Sequence, residues 1–331
     1  MSDDREAVSE QETVRSRLLS PGEDRDAAYL QHPLIRNKQI LATPALEEAY
    51  NILKNVISSP EFGLCFYCSP RNGKTTALDA IEELLSIEFP NVPVFRASAS
   101  KHAASTEKSQ WQGILRDVKH AVAHTALNQR DDLIDLMIAS ALAAQSDVVI
   151  LMVDEAQNWE PEHWEYLKGA TNSVTLRSTT KVRVITLSFG QLQLIDLRAK
   201  ILDHHDMAAR FFADFREFPG LQNVDALIKI FEQLDNLEQT EWPEGGGICY
   251  SEFFMPIAYA AGWRLRVEMP KLWQAFIRTN VTFKYVKMAA VFHSVKLFFI
   301  QNRTKDSAGF EGSLNLWDEA VKKSVFNILH Q

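Results

Sequence analysis

Apolar residues follow two different periods along this chain, and each period predicts a different element. Short, almost continuous apolar runs indicate strands covered on both faces, whereas longer stretches with an apolar residue every three or four positions indicate amphipathic helices. The predicted strands are residues 63–68, 92–97, 148–153, 182–188 and about 214–218. The helical patterns between them cover residues 74–87, 109–142 in one or more pieces, 161–169 and 191–201. This alternation predicts an α/β fold, with a doubly wound, five-stranded parallel sheet and helices on both of its faces.

The strand pattern stops near residue 222, and the pattern beyond it is helical. Residues 225–239 and 252–300 have the apolar period of helices, which predicts a smaller all-helical lid domain. At the other end, residues 1–26 carry eight acidic and four basic side chains and few large apolar ones, a composition typical of a mobile tail. The expected order is an acidic tail, an α/β domain, a helical domain, and a C-terminal tail with one helix: residues 1–26, 27–222, 223–303 and 304–331.

Charge and cysteine content narrow the class of protein. The formal net charge of −8 argues against a chain that is basic overall, so any contact with nucleic acid needs a local patch. No apolar run reaches the roughly 18 residues of a membrane span, and the acidic N-terminus is not typical of a signal peptide. We therefore expect a cytoplasmic protein without membrane contact. The three cysteines, Cys65, Cys68 and Cys249, are expected to be reduced and buried.

The stretch "CSPRNGKTTAL" joins an apolar strand to a helix, which is the setting of a phosphate-binding (Walker A) loop. Lys74 would reach the β- and γ-phosphates, and the Thr75 hydroxyl would bind Mg²⁺. Cys68 and Arg71 stand where such loops commonly have glycine, but Asn72 tolerates a left-handed backbone better than most residues. The alternative is a chance Gly-Lys-Thr at the start of a helix. The candidate nucleotide-binding residues are Ser69, Pro70, Arg71, Asn72, Gly73, Lys74, Thr75 and Thr76.

A second motif, "VVILMVDEAQN", ends a buried strand in two adjacent carboxylates. Unpaired charges at the edge of a core are costly, so a functional reason is expected. Asp154 would bind Mg²⁺ through its water shell, and Glu155 would polarise the attacking water of a Walker B site. An ordinary acidic loop is the alternative for this motif taken alone. Because the two motifs support each other, the sequence predicts an ATPase that uses ATP and Mg²⁺.

Three stretches in this order resemble AAA+ ATPases: "CSPRNGKTT", "LMVDEAQN" and "MAARFFADFREFPGL". Within that class the sequence is most similar to TnsC-type transposition regulators, with TniB proteins and the ATPase of the Mu system further off. The resemblance covers roughly residues 30–300. It implies a regulator that forms a ring or helical filament on duplex DNA and couples target-site selection to transposition. The implied partners are transposase subunits and a target-selection protein or RNA-guided complex.

The resemblance also implies roles for further side chains of the site. Ser188 would close the fourth strand as a polar sensor near the γ-phosphate, with Gln191 taking that place if the strand runs longer. Arg210 matches the arginine finger that reaches the ATP of a neighbouring subunit, although it could be a surface arginine. Either Arg264 or Arg266 would supply a second sensor from the helical lid, or both could be solvated.

A local basic excess is the candidate for DNA contact. Residues 96–119 hold five basic and two acidic side chains with small hydroxyl residues between them. In the resembled family this segment lines a central pore and follows the DNA backbone, and a solvated helix face is the alternative. The candidate DNA-binding residues are Lys101, Lys108, Arg116 and Lys119.

Two other functions remain open at this stage. The first is another DNA-linked AAA+ protein, such as a replication initiator or helicase loader, although no separate helix-turn-helix segment is evident. The second is a nucleotide-binding adaptor, which has no need of a water-activating carboxylate such as Glu155.

Overall fold

The computed structural model describes residues 12–100, 106–119, 128–279 and 285–329. The chain divides into two compact units, and each is described here by itself. An α/β unit comprises Ala45–Pro219, and a helical unit comprises the residues up to Pro44 together with those from Gly220 onward.

Five strands form one sheet in the α/β unit. In chain order they are β1 Gly63–Cys68, β2 Val94–Ser98, β3 Val148–Asp154, β4 Arg183–Gln191 and β5 Asp214–Glu217. Their order across the sheet is β2-β3-β4-β1-β5, and every pair of neighbours is parallel. The predicted fold class, a five-stranded parallel sheet in an α/β fold, is confirmed.

Helices account for most of the remaining described residues. In chain order they are α1 (12–19), α2 Glu23–Gln31, α3 Pro33–Arg36, α4 Pro44–Ser58, α5 Lys74–Glu88, α6 Glu107–Asp117, α7 Gln129–Ala144, α8 Pro161–Arg177, α9 Gln193–Ile201, α10 His205–Phe211, α11 Val224–Glu232, α12 Tyr250–Phe254, α13 Pro256–Ala260, α14 Met269–Arg278, α15 Met288–Asn302 and α16 Leu314–Leu329. No helix among the described residues is long and apolar enough to cross a membrane.

The sheet is covered on both faces, as its continuous apolar strands require. All seven residues of β3 are buried, and its six apolar side chains point alternately into two apolar clusters. One cluster contains Trp111, Trp164 and Phe211, and the other contains Phe66 and Phe189. The three cysteines are free and buried, as expected. This packing fixes the strand ends, where the polar side chains of the candidate site lie.

The helical unit has its own apolar core, to which the last helix contributes. Trp317 of α16 is completely buried and stacks on Phe298 of α15, with ring centroids 3.9 Å apart and planes inclined by 2°. Its indole nitrogen donates to Glu268 Oε2 at 3.3 Å. Residues 304–331 were expected to be a separate C-terminal tail with one helix; the helix is present as α16, and its described part belongs to this core.

The N-terminal boundary also differs from the expected one. Within the expected mobile tail, residues 12–19 and 23–26 are helical, and residues 12–44 belong to the helical unit. Leu18 is buried in the core of that unit, and the Arg15 guanidinium binds Glu252 and the Gly247 carbonyl. Tertiary contacts therefore order a segment whose own composition is polar.

Candidate active site

The carboxyl ends of β1, β3 and β4 carry the candidate site. β4 lies between β3 and β1 in the sheet, so the residues that follow these strands are close in space. Ligands in open α/β sheets bind outside the carboxyl ends of the strands.

The phosphate loop connects β1 to α5, and the backbone angle φ alternates in sign along it. Arg71 has φ +70° and Gly73 has φ +89°, whereas Asn72 between them is not left-handed. The left-handed positions therefore lie on either side of Asn72, and the tolerance of asparagine for that conformation is not used here. A Cβ at Gly73 would meet no atom within 4 Å, so the backbone conformation alone favours glycine. Such alternation directs successive N–H groups to one side, which makes an anion-binding concavity.

Cys68 fits the place where other phosphate loops have glycine. Its side chain is buried in the apolar cluster formed by α4, α5 and one face of the sheet. Burial raises the pKa of the Cys68 thiol to about 12, because the loss of hydration outweighs the nearby charge of Lys74. The residue is thus a small, uncharged group beneath the loop.

Asp154 and Thr75 form the first polar contact of the site. The Thr75 hydroxyl donates to Asp154 Oδ2 at 3.1 Å, and the Glu155 amide donates to Asp154 Oδ1 at 2.8 Å. Asp154 Oδ2 also lies 3.9 Å from the guanidinium of Arg96 on β2. A hydroxyl beside a carboxylate is a pair of oxygen donors that suits Mg²⁺. No group of three or more His, Cys, Asp or Glu residues suited to a metal exists in the described ranges, and Mg²⁺ bound to a nucleotide needs none.

Glu155 lies beside Lys74, and both of its oxygens are hydrogen-bonded. It has φ +53° and directly follows the last residue of β3, Asp154. Lys74 Nζ donates to Oε1 at 2.8 Å, while Gln157 Nε2 at 2.5 Å and Gln191 Nε2 at 3.1 Å donate to Oε2. Burial would raise the pKa of Glu155, but these donors and the Lys74 charge outweigh it and hold the pKa below its ordinary value. The carboxylate is therefore ionised and fixed in direction.

Ser188 was expected to end the fourth strand, but the strand runs on to Gln191. β4 continues for three residues past Ser188, which is completely buried in register with Cys65 and Val153. Its hydroxyl has no hydrogen-bond partner in the described part of the chain. Ser188 does not close the strand, because Phe189 and Gly190 extend the pairing with β1. Gln191, the position named for a longer strand, ends β4 and contacts Glu155.

Arg210 lies on α10 and contacts its own unit. Its Nη1 donates to Thr171 Oγ1 at 2.8 Å, and its guanidinium lies 4.6 Å from the centroid of the Phe62 ring. Burial lowers the pKa of Arg210, and the charge of Asp206 opposes that effect. Within the described ranges the guanidinium contacts α8 and Phe62 rather than the phosphate loop. An action on a neighbouring subunit stays a prediction.

Arg264 and Arg266 belong to the helical unit and have different surroundings. Arg264 donates to the carbonyls of Tyr259 at 2.8 Å and Trp263 at 2.7 Å, and it lies 3.6 Å from the Tyr259 ring centroid. Arg266 is exposed and forms an ion pair with Glu232 at 3.2 Å. The role of either as a second sensor stays a prediction.

The candidate DNA-binding residues lie mainly on α6. Lys108 and Arg116 are exposed in its first and last turns, and Lys119 is exposed just beyond it. Trp111 and neighbouring apolar residues bury the opposite side of this helix. Lys101 lies outside the described residues. The three described cations therefore present positive charge to solvent.

Gln157 is the site residue that sequence analysis missed. The signal lay in the motif "DEAQN", where an amide follows two residues after the carboxylate. Its contact with Glu155 depends on the turn Ala156–Asn158, a single 3₁₀ turn that no periodicity indicates.

Comparisons with known proteins agree with this fold. Residues 64–194 match the family model of an AAA domain, a span that runs from β1 through the phosphate loop to the first residues of α9. No curated protein matches the sequence significantly.

Several solved structures have a similar fold at low identity. The ORC2 protein of Aeropyrum pernix in its ADPNP-ADP complexes has a TM-score of 0.53 at 14% identity, covering 85% of this chain and 66% of that one. Its ADP form has a TM-score of 0.54 at 14% identity, with 84% and 67% covered. A Walker-type ATPase of Pyrococcus abyssi has a TM-score of 0.51 at 10% identity, with 89% and 75% covered. This chain thus spans about two thirds of the length of the ORC2 structures.

The fold and the family match together define the class of protein. The chain has the AAA+ P-loop fold, with a parallel sheet and a phosphate loop between β1 and α5. The match of residues 64–194 to an AAA domain supports an ATPase that binds a nucleotide. The predicted fold and the predicted enzyme class are confirmed.

Proposed function

We propose that this ATPase hydrolyses Mg²⁺-ATP and uses the cycle to assemble on duplex DNA as a regulator of transposition. In this proposal it couples target-site selection to the recruitment and activation of a transposase. The observation that carries the proposed chemistry is the meeting of Lys74, Thr75, Asp154 and Glu155 at the end of β3. One cation, one hydroxyl and two carboxylates supply the groups needed to hold a triphosphate and to activate water.

The chemistry requires each group to act at a different part of the nucleotide. The loop N–H groups and Lys74 would hold the phosphates, and Thr75 and Asp154 would hold Mg²⁺, directly or through water. Bound Mg²⁺ neutralises charge that develops on the phosphate oxygens. Glu155 would orient and polarise the attacking water, and Gln191 would contact the same region from the end of β4. To bind phosphate, Lys74 would release Glu155 Oε1. That carboxylate oxygen could then accept a hydrogen bond from the attacking water.

Assembly on DNA rests on the exposed cations and on the resemblance to transposition regulators. Lys108, Arg116 and Lys119 would contact phosphates, and such contacts are largely independent of sequence. Repetition of a weak site in a ring or helical filament supplies avidity, so a net acidic subunit is compatible with DNA binding. Arg210 would complete the site of the next subunit, which makes hydrolysis depend on assembly.

A role as another DNA-linked AAA+ ATPase is the second candidate. The fold likeness to an archaeal ORC2 protein favours a replication initiator or helicase loader. Both candidates share ATP-dependent DNA binding, and they differ in the partner: a transposase with its target-selection complex in one, and a replicative helicase in the other.

The experiment that tests the proposed chemistry compares Glu155→Gln with Glu162→Gln. Gln keeps the shape of the side chain and removes its basicity, while Glu162 is an exposed carboxylate on α8 and serves as a matched control. We expect Glu155→Gln to bind ATP, to hydrolyse it at least 100-fold more slowly, and to form longer-lived DNA complexes. Glu162→Gln should match the unmodified protein. Unchanged turnover in Glu155→Gln would refute this role and favour a nucleotide-binding adaptor.

Assembly is tested separately by negative-stain imaging with a non-hydrolysable ATP analogue, with and without duplex DNA. Rings or filaments that need both nucleotide and DNA would support the proposal. Particles that stay monomeric under all conditions would contradict the assembly step and leave the hydrolysis site unaffected.

A further inference from the structure

Gln157 joins the end of β3 to the end of β4 through both atoms of its amide. Its Nε2 donates to Glu155 Oε2 at 2.5 Å, and its Oε1 accepts from the Gln191 backbone N–H at 2.8 Å. The Gln191 side chain donates back to the same Glu155 oxygen at 3.1 Å. The three residues form a closed ring of hydrogen bonds with the carboxylate oxygen as its common acceptor.

Gly190 makes this approach possible. A Cβ at Gly190 would lie 2.8 Å from Gln157 Oε1 and 3.3 Å from the Gln157 backbone nitrogen. It would also lie 2.7 Å from a methyl group of Leu194. Any side chain at this position would therefore displace both the amide of Gln157 and the side chain of Leu194. The glycine next to the strand end is explained by the space that Gln157 occupies.

We propose that Gln157 is a positioning residue for ATP hydrolysis, which directs the Glu155 carboxylate toward the attacking water and acts only through Glu155. This inference rests on the proposed function of Glu155.

The two oxygens of Glu155 have different partners, and this difference supports the inference. Oε1 is bound by Lys74, which the chemistry proposed above transfers to the phosphates. Oε2 is bound by two neutral amides that do not take part in phosphate binding. Once Lys74 turns to the nucleotide, the amides of Gln157 and Gln191 are the contacts that still fix the carboxylate. Two neutral donors hold an anion in place without supplying a competing charge.

Other charged groups close to Glu155 do not provide this orientation. Asp154 contacts the Glu155 backbone N–H rather than its carboxylate, and Arg96 lies near Asp154 at 3.9 Å. The Cys68 thiol is buried and uncharged. Orientation of the Glu155 side chain therefore comes from the amide ring.

The test removes the hydrogen bonds of Gln157 while keeping the length of the side chain. Gln157→Met loses both the donor and the acceptor, and Gln157→Glu keeps the acceptor for the Gln191 N–H but loses the donor to Glu155. We expect kcat for ATP hydrolysis to fall about 10- to 100-fold in both variants. KM and the directly measured ATP affinity should stay within about threefold, because Lys74 and Thr75 are unchanged. Gly190→Ala displaces the amide without removing it. This variant should likewise have a lower kcat and a nearly unchanged KM and ATP affinity.

Asn158 supplies a matched control in the same turn. Its Nδ2 donates to the Ala99 carbonyl at 2.9 Å, so this side chain tethers the turn to the end of β2. Asn158 contacts Glu155 through the backbone, from the Asn158 N–H to the Glu155 carbonyl at 2.9 Å, and alanine keeps this hydrogen bond. We expect Asn158→Ala to keep kcat within about threefold of the unmodified protein. A loss of kcat in Asn158→Ala equal to that in Gln157→Met would mean that turn stability alone is responsible and would overturn the inference.

A double-mutant cycle separates this inference from the proposed function. In a Glu155→Gln background the additional change Gln157→Met should have little further effect on kcat, because residues that act as one unit are not additive. Additive losses, or a wild-type kcat in Gln157→Met alone, would overturn the positioning role. Wild-type turnover in Glu155→Gln would instead refute the proposed function itself. Thermal unfolding of each variant identifies any that fails to fold, and the remaining variants then decide.

Discussion

Lys74 Nζ donates to Glu155 Oε1 at 2.8 Å, so the lysine of the phosphate loop forms an ion pair with the carboxylate at the end of β3. The lysine side chain is only 8% exposed, so its charge faces the interior of the site and not the solvent. Removing one partner of such a pair leaves the other without its main counter-charge. The pair therefore ties phosphate binding and hydrolysis to the same cation.

Lys74→Ala should abolish ATP binding and all ATP-dependent assembly. The variant loses the main fixed positive charge on the phosphates, whereas the loop backbone stays in place. Titration with a fluorescent ATP analogue measures the affinity directly. Lys54→Ala is a matched control. Lys54 lies on α4, forms an ion pair with Glu88 at the end of α5, and does not contact the loop. An affinity for ATP within a factor of about three of the unmodified value, less than roughly 0.7 kcal/mol, would refute the assignment of the loop.

Thr75→Val should weaken the response to Mg²⁺ much more than Thr75→Ser does. Both variants keep a small side chain at the start of α5, but only Ser retains the hydroxyl that donates to Asp154 at 3.1 Å. Titration of ATPase activity against Mg²⁺ measures the difference. We expect Thr75→Val to lose at least about tenfold in turnover at saturating ATP, and Thr75→Ser to retain most of it. Equal activity in the two variants would mean that the hydroxyl does not serve the metal.

How much of the fold was predictable from the sequence follows from where each element is buried. β1 and β3 were predicted almost to the residue because both of their faces are covered, which leaves continuous apolar runs. The end of β4 was placed too early at Ser188, because a polar residue there resembles a strand end. Among the residues that the structure describes, the buried Ser188 hydroxyl has no hydrogen-bond partner, and the strand ends at Gln191.

The sequence likewise predicts some residues of the candidate site and not others. Lys74, Thr75, Asp154 and Glu155 were predictable, since each lies in a local motif whose spacing reflects its chemistry. Gln157 was not, because its partners lie at the ends of two strands that only the sheet topology brings together. The N-terminal helices were missed for a related reason: contacts such as that between Arg15 and Glu252 span more than 200 residues of sequence.

Arg210→Ala should lower ATP turnover without lowering ATP affinity in the isolated subunit. The finger would act on the nucleotide of a neighbour, so the variant lacks a group in trans and keeps its own phosphate loop. Mixing Arg210→Ala with Lys74→Ala subunits tests this, because an interface with one intact loop and one intact arginine forms in the mixture. We expect partial recovery of turnover on mixing, measured at constant total protein.

Two observations would contradict that prediction for Arg210. Turnover that stays at the sum of the separate variants would exclude action in trans. Loss of folding would point to the internal contacts with Thr171 and the Phe62 ring. Arg210→Lys distinguishes these cases, since it keeps the charge but not the two-pronged donor geometry.

Alanine at Lys108, Arg116 or Lys119 should weaken DNA binding about equally on unrelated duplexes. Each contact with a phosphate releases a counterion, so each loss should reduce the slope of log affinity against log salt by roughly one unit per subunit bound. Lys101→Ala is expected to reduce the salt slope by the same amount. The measurement is a salt titration with a non-hydrolysable ATP analogue, with Lys322→Ala on α16 as an exposed control. Unchanged slopes in all four variants would exclude these residues and make Arg177 and Lys181 the next candidates.

The helical unit should lose stability in mild acid because of His32. The His32 ring is completely buried, packs among aromatic rings that include Tyr250 and Phe254, and accepts from the Leu34 N–H at 3.1 Å. Burial lowers its pKa from 6.5 to about 3. Between these two values the unfolded chain binds one more proton than the folded chain, so the free energy of unfolding is fully retained above pH 6.5 and falls as the pH drops below it. The expected fall is about 1.4 kcal/mol per pH unit, or about 2 kcal/mol at pH 5.

A comparison with His32→Asn isolates this effect from the carboxylates that titrate in the same range. Asn keeps an acceptor at the position where His32 caps α3, but it binds no proton in this range. Urea unfolding at pH 7.5 and pH 5 gives the free energy of unfolding for both proteins. The unmodified protein should lose about 2 kcal/mol more than His32→Asn between the two pH values. If both lose the same amount, His32 is not buried as a neutral group, and the stability of this aromatic cluster does not depend on its protonation.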